Sequence, residues 1–405
     1  MLNTIITSTP MFVCGTLSVL LGLSLYNRWN RPRFQLLIFM IAATLLYIGH
    51  FIFFNRIIAA IPLSDTIYSF CNPAIFPLFL IYIEELVLER PKRRLQILYL
   101  LPAALCCIST GLLYALMNER ETTAFISHHI YGAEIASLKG YGYAWLLALV
   151  HLAVKVIFAL EIPPVLVISW RYINTYNQRI ENYYSNTEDK TLQPIKLLLA
   201  ALVIASMISF VVNVIGRNYF MESIWLVAIP AFTFSALILL IGFFGLYQQF
   251  SAINLEEDDK RTQDQLETIK PELIKQNAQQ TSPADMEYLA KEIRKLMDQE
   301  KLFLQPNLKL NDLATRLNTN RNYVYNAINK EIGMSFSDYV NMKRIHYAAF
   351  LIEKNPKAIL ADIAYKSGFS SASSFYRNFK SIMGYSPSEY QRKTGASITA
   401  STLPK

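Results

Sequence analysis

Long apolar runs, separated by short polar stretches, dominate the first 247 residues of this chain. A helix needs about 20 residues to cross the hydrocarbon core of a bilayer, and the runs are about that long. Because a chain inside lipid must satisfy its own backbone polar groups, such runs are expected to be helical. The pattern predicts seven membrane spans, at 10–26, 34–54, 66–88, 95–117, 143–169, 196–215 and 224–247.

Basic residues are distributed unevenly between the spans. The loops at 27–33, 89–94 and 170–195, with Lys196 at the last boundary, hold eleven Lys and Arg, whereas the N-terminus and the alternate loops hold four. Loops rich in Lys and Arg resist translocation and stay in the cytoplasm. We therefore expect a multi-pass protein of the inner (cytoplasmic) membrane, with its N-terminus outside and its C-terminal domain in the cytoplasm.

The positions of the tryptophans test the predicted membrane spans independently. All four tryptophans, Trp29, Trp145, Trp170 and Trp225, fall at predicted span ends. The amphipathic indole ring prefers the headgroup level of a bilayer. This placement, together with the loop asymmetry, disfavours the alternative that the runs are core helices of a large soluble domain.

Composition divides the chain into three parts. Only 17% of all residues are charged, below the usual quarter, and residues 1–247 carry just 28 of the 68 charged side chains. A polar stretch at 248–283, with a net charge of −3, is expected to be a linker. Residues 284–405 hold 18 Lys and Arg against 11 Asp and Glu, a net charge of +7 that suits a polyanionic partner. The predicted domains are thus 1–247, 248–283 and 284–405.

An amphipathic helix is expected to start at Ser282-Pro283, where serine can cap and proline fits the first turn. Its apolar residues recur every three or four positions and form one stripe: Met286, Leu289, Ile293 and Leu296. The stripe is short for a coiled coil. Packing in the core of the C-terminal domain and a dimer seam both stay open as its role.

Two amphipathic helices separated by a tight break are predicted between 308 and 333. The first carries Leu310, Leu313, Ala314 and Leu317 on one face, and the break falls at Asn318–Asn320. The second runs from Arg321 to Ile332 and should bury Val324, Ile328 and Ile332. Its polar side presents Asn322, Tyr325, Asn326 and Asn329, with Arg321 beside them. A helix, a turn and a second helix with a polar outer face form a helix-turn-helix unit.

The same plan recurs between 359 and 383. Leu360, Ile363 and Ala364 face inward on a supporting helix, Gly368 supplies the turn, and a second recognition helix begins at Ser370. Phe375 and Phe379 should face inward on that helix. Its outward residues are Ala372, Ser373, Tyr376, Arg377 and Lys380. One helix from Phe336 to Glu353 should join the two units, and SPSEY at 386–390 is a capping box that starts a further helix.

The sequence LADIAYKSGFSSASSFYRNFKSIMGYSPSEYQRK at 360–393 resembles the signature of the AraC/XylS family. Residues 308–353 resemble the first unit and connecting helix of that family. The resemblance is carried by the spacing of Ala364, Gly368, Phe369, Ser371, Phe375, Arg377, Phe379, Lys380, Gly384, Pro387 and Tyr390. It implies sequence-specific promoter binding, with one recognition helix from each unit in successive major grooves of double-stranded DNA.

By position, the resemblance assigns DNA contacts to Arg321, Asn322, Tyr325 and Asn326, and to Ala372, Ser373, Tyr376 and Arg377. Three features depart from the family: Asn318 stands where glycine is frequent, Ala372 and Ser373 are small, and the N-terminal half is unlike the family's soluble sugar-binding barrel. The small side chains favour phosphate contact by Arg377 or Lys380 over base reading. Two alternatives stay open, an ordinary solvated face for the first helix and pairing of Arg377 with a carboxylate of its own domain.

Ionisable residues at membrane depth suggest a ligand site in the fifth span. His151 and Lys155 are four residues apart on one helical face, and Glu161 lies about a third of a turn from the direction of Lys155. Such groups need a partner or water, so they could hold a small polar or anionic ligand or respond to protonation of His151. The alternative is that Lys155 pairs with Glu84 or Glu85 of a neighbouring span.

The chain is therefore expected to be all-α, a seven-helix transmembrane bundle followed by a double helix-turn-helix DNA-binding domain. The four cysteines lie in apolar runs without metal-ligand spacing, so we expect no metal site and no cofactor. The sequence contains neither an HExxH motif nor a nucleophile elbow, so we do not expect an enzyme. The leading hypothesis is a one-component sensor whose spans perceive an unknown small-molecule or physical signal. A transporter-like bundle with a fused regulatory domain is the alternative. Whether the chain forms a homodimer stays open. If the chain activates transcription, it would also contact RNA polymerase.

Overall fold

A computed structural model of the chain describes residues 2–132, 135–188, 223–248 and 283–401, together with short pieces within 190–219 and 251–257. The described residues are helical, and the single β pairing among them is a bridge between Tyr184 and Lys309. They form two compact units. The N-terminal unit comprises Met1–Asn174 and Leu192–Ile253, and the C-terminal unit comprises Thr175–Thr191 and Asn254–Lys405.

Six of the seven predicted spans coincide with helices of the N-terminal unit. Five described helices are long and apolar enough to cross a membrane, and a bent pair would make a sixth. The bounds are Leu2–Asn27, Arg31–Phe54, Ile61–Val87, the pair Arg93–Tyr99 and Leu101–Leu116 bent by 42°, Gly142–Tyr183, and Ile224–Tyr247. The predicted span at 196–215 lies mostly outside the described residues.

The helix Ile61–Val87 is the most buried of these candidates, because it packs against both Arg31–Phe54 and Leu101–Leu116. The others keep large apolar side chains on the outside. Phe12 is 65% exposed, Leu160 69% and Ile229 67%. Many exposed large apolar side chains are unfavourable in water and suggest a lipid environment.

The helix Gly142–Tyr183, here called the long helix, is 42 residues long. It continues well into 170–195, which was expected to be an inner loop. The reason is local: no glycine or proline occurs between Val165 and Tyr183, so nothing in the sequence ends the helix there. Its last residues, from Thr175 onward, belong to the C-terminal unit.

The C-terminal unit contains both predicted helix-turn-helix units. In each, a support helix precedes a recognition helix, and a connecting helix joins the two. The support helices are Leu310–Arg316 and Leu360–Lys366, the recognition helices are Arg321–Ile332 and Ala372–Met383, and the connecting helix is Phe336–Lys354; Pro283–Gln299 and Pro387–Ser401 flank them. The prediction of one helix between the two units is confirmed.

Two hydrophobic cores stabilise this unit, and the connecting helix contributes to both. Phe336 and Val340 pack in the first core with Val324 and Ile328, whereas Ile352 packs in the second core. The second core also contains Phe375 and Phe379, as predicted. Because one helix supplies residues to both cores, the two helix-turn-helix units are held in a fixed relation.

The apolar stripe of Pro283–Gln299 faces the first core. Ile293 is fully buried there, and Met286 and Leu289 pack against it. Ala290 and Met297 complete the buried side of this helix. Of the two roles left open for the stripe, the structure thus shows core packing.

The first recognition helix departs from the predicted regular α-helix. Arg321–Asn326 is α-helical, but Ala327–Ile332 is a π-helical turn, in which the Gly333 N–H donates to the Ile328 carbonyl at 3.0 Å. The wider turn changes the angular spacing, so Ile332 is only partly buried whereas Val324 and Ile328 are fully buried. The 3.6-residue period predicted equal burial for all three.

Candidate functional sites

The first recognition helix presents the predicted polar side. Asn320 caps its N-terminus by accepting a hydrogen bond from the Asn322 N–H at 2.8 Å. Asn322 and Tyr325 are exposed, and Arg321, Asn326 and Asn329 are partly exposed. Asn318 adopts the left-handed conformation that the turn requires, with φ of 50°. The five predicted contact residues of this helix are therefore accessible from one side.

The second recognition helix is capped by Ser371, whose Oγ accepts from the Ser374 N–H at 3.1 Å. Ser373, Tyr376, Arg377 and Lys380 are exposed along its outer side. The two cations on this side, Arg377 and Lys380, can bind phosphate oxygens. The predicted small residues at the start of the helix leave the backbone there accessible.

Gly368 has a role beyond the turn predicted for it. Its φ is +88°, and a Cβ added there would lie 2.7 Å from the carbonyl oxygen of Phe303. The turn of the second helix-turn-helix unit thus packs directly on the backbone of residues 303–304. This contact fixes the start of the second recognition helix.

Arg344 lies at the junction of the two cores and was missed by sequence reasoning. Its guanidinium is 1% exposed and donates to the carbonyls of Phe303 and Gln305, both at 2.7 Å, and of Pro306 at 3.2 Å. Burial lowers the pKa of Arg344 to about 10. An arginine on an amphipathic helix normally indicates a solvated face. The hydropathy pattern therefore did not predict that Arg344 is buried.

The N-terminal unit contains a polar cluster around His151, which we call the His-Asp cluster: Asp65, Tyr114, His129 and His151. The His151 Nε2 lies 2.9 Å from Asp65 Oδ2, and His151 Nδ1 lies 3.2 Å from His129 Nε2. Tyr114 donates its hydroxyl hydrogen to the same Asp65 oxygen at 2.9 Å. Hydrogen bonds therefore link Tyr114 of Leu101–Leu116 to Ile61–Val87, and His129 of the turn Phe125–Ile130 to the long helix, and the two links meet at the close contact between His151 and Asp65.

The other two predicted ligand residues lie apart from this cluster. The side chain of Lys155 is exposed, and Glu161 lies ten residues beyond His151, about 15 Å away by helical rise. Glu84, offered as a partner for Lys155, instead accepts hydrogen bonds from Gln96 at 3.1 Å and from Tyr99 at 3.2 Å. Asp65 and His129 had no sequence signal, because neither lies at helical spacing from His151.

Arg377 lies near a carboxylate of its compact unit, but not one from the predicted domain 284–405, in which the alternative above placed its partner. Its Nη1 lies 3.6 Å from Glu188 Oε1. Glu188 follows the long helix in sequence and belongs to the C-terminal unit. Arg377 remains 60% exposed, so the pair leaves much of the guanidinium accessible.

Comparison with known proteins identifies the C-terminal part. Residues 313–393 match the family described as "Helix-turn-helix domain". The chain is 34% identical over 87 residues to the Msm operon regulatory protein of Streptococcus mutans, covering 22% of this chain and 31% of that protein. It is 33% identical over 85 residues to the melibiose operon regulatory protein of Escherichia coli, covering 21% and 28% respectively.

A third relative is an uncharacterised helix-turn-helix-type transcriptional regulator of Bacillus subtilis, 35% identical over 89 residues, which are 22% of this chain and 11% of that protein. The chain thus matches less than a third of the length of each of these relatives. The relatives are transcription regulators rather than enzymes, as expected from the sequence. Together with the paired helix-turn-helix geometry, they show that residues 313–393 form an AraC-type helix-turn-helix domain.

Proposed function

We propose that this chain is a membrane-embedded, sequence-specific DNA-binding transcription regulator that acts as a one-component sensor. The observation that carries the proposal is the presence, in one chain, of an AraC-type helix-turn-helix domain and of five to six apolar helices, most of which have exposed apolar sides. The N-terminal unit would perceive the signal as a bundle of seven spans. The C-terminal domain, 284–405, would bind promoter DNA in the cytoplasm, joined to the bundle by the linker 248–283.

Base recognition is assigned to the first recognition helix, because its asparagines and Arg321 can hydrogen-bond base edges in the major groove. Asn326→Ala should relax base preference at one position, at a cost on the order of 1–3 kcal/mol. Arg321→Ala should weaken binding and reduce its salt dependence, since fewer counterions are released. Lys291→Ala removes the same charge from an exposed site on another helix and serves as the control.

The test uses the full chain in lipid nanodiscs and the duplex that it enriches from a random-sequence library. Loss of base preference in Asn326→Ala, together with unchanged base preference and affinity in Lys291→Ala, supports the assignment. Unaltered binding of the enriched duplex by Asn326→Ala and Arg321→Ala combined would refute it. Failure of the wild-type chain to enrich any sequence would refute the function itself.

Membrane topology is tested by reporter fusions. Fusions after Arg94 and after Tyr247 should report a cytoplasmic location, and a fusion after Gly132 an external one. The positive loops and the bounds of the helices support this arrangement. An external signal from the fusion after Tyr247 would overturn it, because DNA is not available on that side.

Signal perception is assigned to the His-Asp cluster, through protonation or through a small polar ligand. A narrow cleft beside Asp65 is bordered by Ser64 and Tyr68. If His151 were protonated, both of its ring nitrogens would carry a hydrogen, so Nδ1 could no longer accept a hydrogen bond from His129 Nε2.

The experiment compares transcription from a reporter across external pH and inducing conditions. His151→Gln, which does not titrate, should abolish the response, and Lys155→Met, on the exposed side of the same helix, is the matched control. Membrane insertion of both variants is confirmed first. A normal response in His151→Gln would exclude His151 as the sensor and leave the external loop at 118–142, which includes His129, as the candidate.

A further inference from the structure

The last two residues of the long helix and the residues that follow them lie on the side of the C-terminal unit that carries the candidate DNA contacts. We call residues 182–188 the clamp segment. All of its contacts described below lie within this one compact unit. The segment touches both recognition helices.

Its contacts with the second recognition helix are polar and directed at the start of that helix. The Ser371 hydroxyl donates to one carboxylate oxygen of Glu188, and the other oxygen lies 3.6 Å from Arg377. The Asn186 side chain donates to Ser370 Oγ at 2.6 Å. An acidic group thus occupies the helix N-terminus, where a DNA phosphate would otherwise be bound.

Its contacts with the first recognition helix are made by two adjacent residues. The guanidinium of Arg321 lies over the Tyr183 ring, 5.7 Å from its centroid. The Asn329 amide lies 3.5 Å from the side-chain oxygen of Asn182. Three predicted DNA contacts, Arg321, Asn329 and Arg377, therefore lie against the clamp segment.

Buried side chains anchor the segment. Tyr183, Tyr184 and Ser185 are each less than 5% exposed. The Tyr183 hydroxyl accepts from Asn311 at 2.8 Å, and the Ser185 N–H donates to the Leu308 carbonyl at 3.1 Å. These contacts hold Glu188 in place, so its position is not that of a freely moving surface side chain.

We propose that the clamp segment is an autoinhibitory element that competes with DNA for the recognition helices. This inference rests on the proposed function, since it assumes that these helices bind DNA. Glu188 takes the position of a phosphate at Ser371 and Arg377, and its negative charge repels the DNA backbone. The clamp segment includes the last two residues of the helix that carries His151, so a displacement of that helix by the signal would withdraw Glu188 and expose the DNA-binding surface.

The first experiment measures the affinity of the full chain in nanodiscs for the enriched duplex. Glu188→Gln should bind it more tightly, on the order of tenfold, because the competing carboxylate is lost. Glu287→Gln removes the same charge from an exposed position of Pro283–Gln299 and controls for general electrostatics. Equal affinity gains in Glu188→Gln and Glu287→Gln would overturn the clamp.

The second experiment locks the clamp without removing the carboxylate. Asn186→Cys combined with Ser370→Cys places two thiols where a 2.6 Å contact now exists, and the four native cysteines lie in the N-terminal unit. Oxidation should lower DNA affinity at least tenfold and reduction should restore it, whereas single-cysteine variants should not respond. Unchanged affinity on oxidation, with the crosslink verified by mass spectrometry, refutes the clamp but leaves the proposed function standing. Absence of DNA binding by the reduced and wild-type chains refutes both.

Discussion

Replacement of Gly368 by alanine tests the packing of the second helix-turn-helix turn. At φ of +88° an L-residue is strained by about 1–2 kcal/mol. The new Cβ would also lie 2.7 Å from the Phe303 oxygen and 2.8 Å from Leu304 Cα, both backbone atoms that cannot rotate away. Overpacking of this kind adds about 1–3 kcal/mol, so Gly368→Ala should destabilise the C-terminal unit by about 2–5 kcal/mol.

Gly333→Ala is the matched control. Its φ is +77°, but a Cβ there meets nothing within 4 Å, so only the strain of about 1–2 kcal/mol remains. Brief proteolysis of the full chain across a urea series, detected by a C-terminal tag, reports unfolding of this unit. For an m-value of about 2 kcal/mol/M, the midpoint should fall by about 1–2.5 M in Gly368→Ala and by about 0.5–1 M in Gly333→Ala. Equal midpoints in the two variants would show that the turn does not pack on residues 303–304.

Three further predictions concern the same unit and the same assay. Asn318→Gly should raise the urea midpoint slightly, because glycine adopts the φ of +50° without strain, and a lower midpoint would contradict this. Arg344→Met should cost roughly 2–4 kcal/mol, since it leaves buried carbonyls without a donor, and stability equal to wild type would exclude the buried role. The Ser386 hydrogen bonds lower the pKa of Glu389 below its ordinary value of 4.5, so their stabilisation is present above that pH and is lost as the pH falls through the lowered pKa. Wild type should therefore lose more stability than Ser386→Ala on acidification below about pH 4.5, and parallel pH profiles would contradict this.

The features that could be predicted from the sequence are those that depend on the local periodicity of apolar residues. Apolar runs predicted the candidate spans, and the spacing of Val324, Ile328, Phe375 and Phe379 predicted which sides of the recognition helices are buried. The SPSEY motif predicted its capping box, in which the Ser386 N–H donates to Glu389 at 2.8 Å. In each case the residues that determine the structure lie within a few positions of one another.

The features that escaped prediction depend on residues far apart in sequence. The Tyr183–Asn311 hydrogen bond joins positions 128 residues apart, and the His151–Asp65 pair joins two separate helices. No hydropathy period connects such positions. Arg344 was missed for the same reason, because its partners at 303–306 are brought to it only by the fold.

The π turn of the first recognition helix affects which changes in chain length the domain can accept. A hydrogen bond from residue i+5 encloses one residue more than the bond of an α-helical turn. Deleting one residue within Ala327–Ile332 would convert the turn to α-helical geometry and leave Arg321–Asn326 in its present orientation. The same deletion inside Ala372–Met383 would rotate every later side chain by about 100° and remove Phe379 from the core. Evolutionary loss of a single codon is therefore more readily accepted in the first recognition helix than in the second.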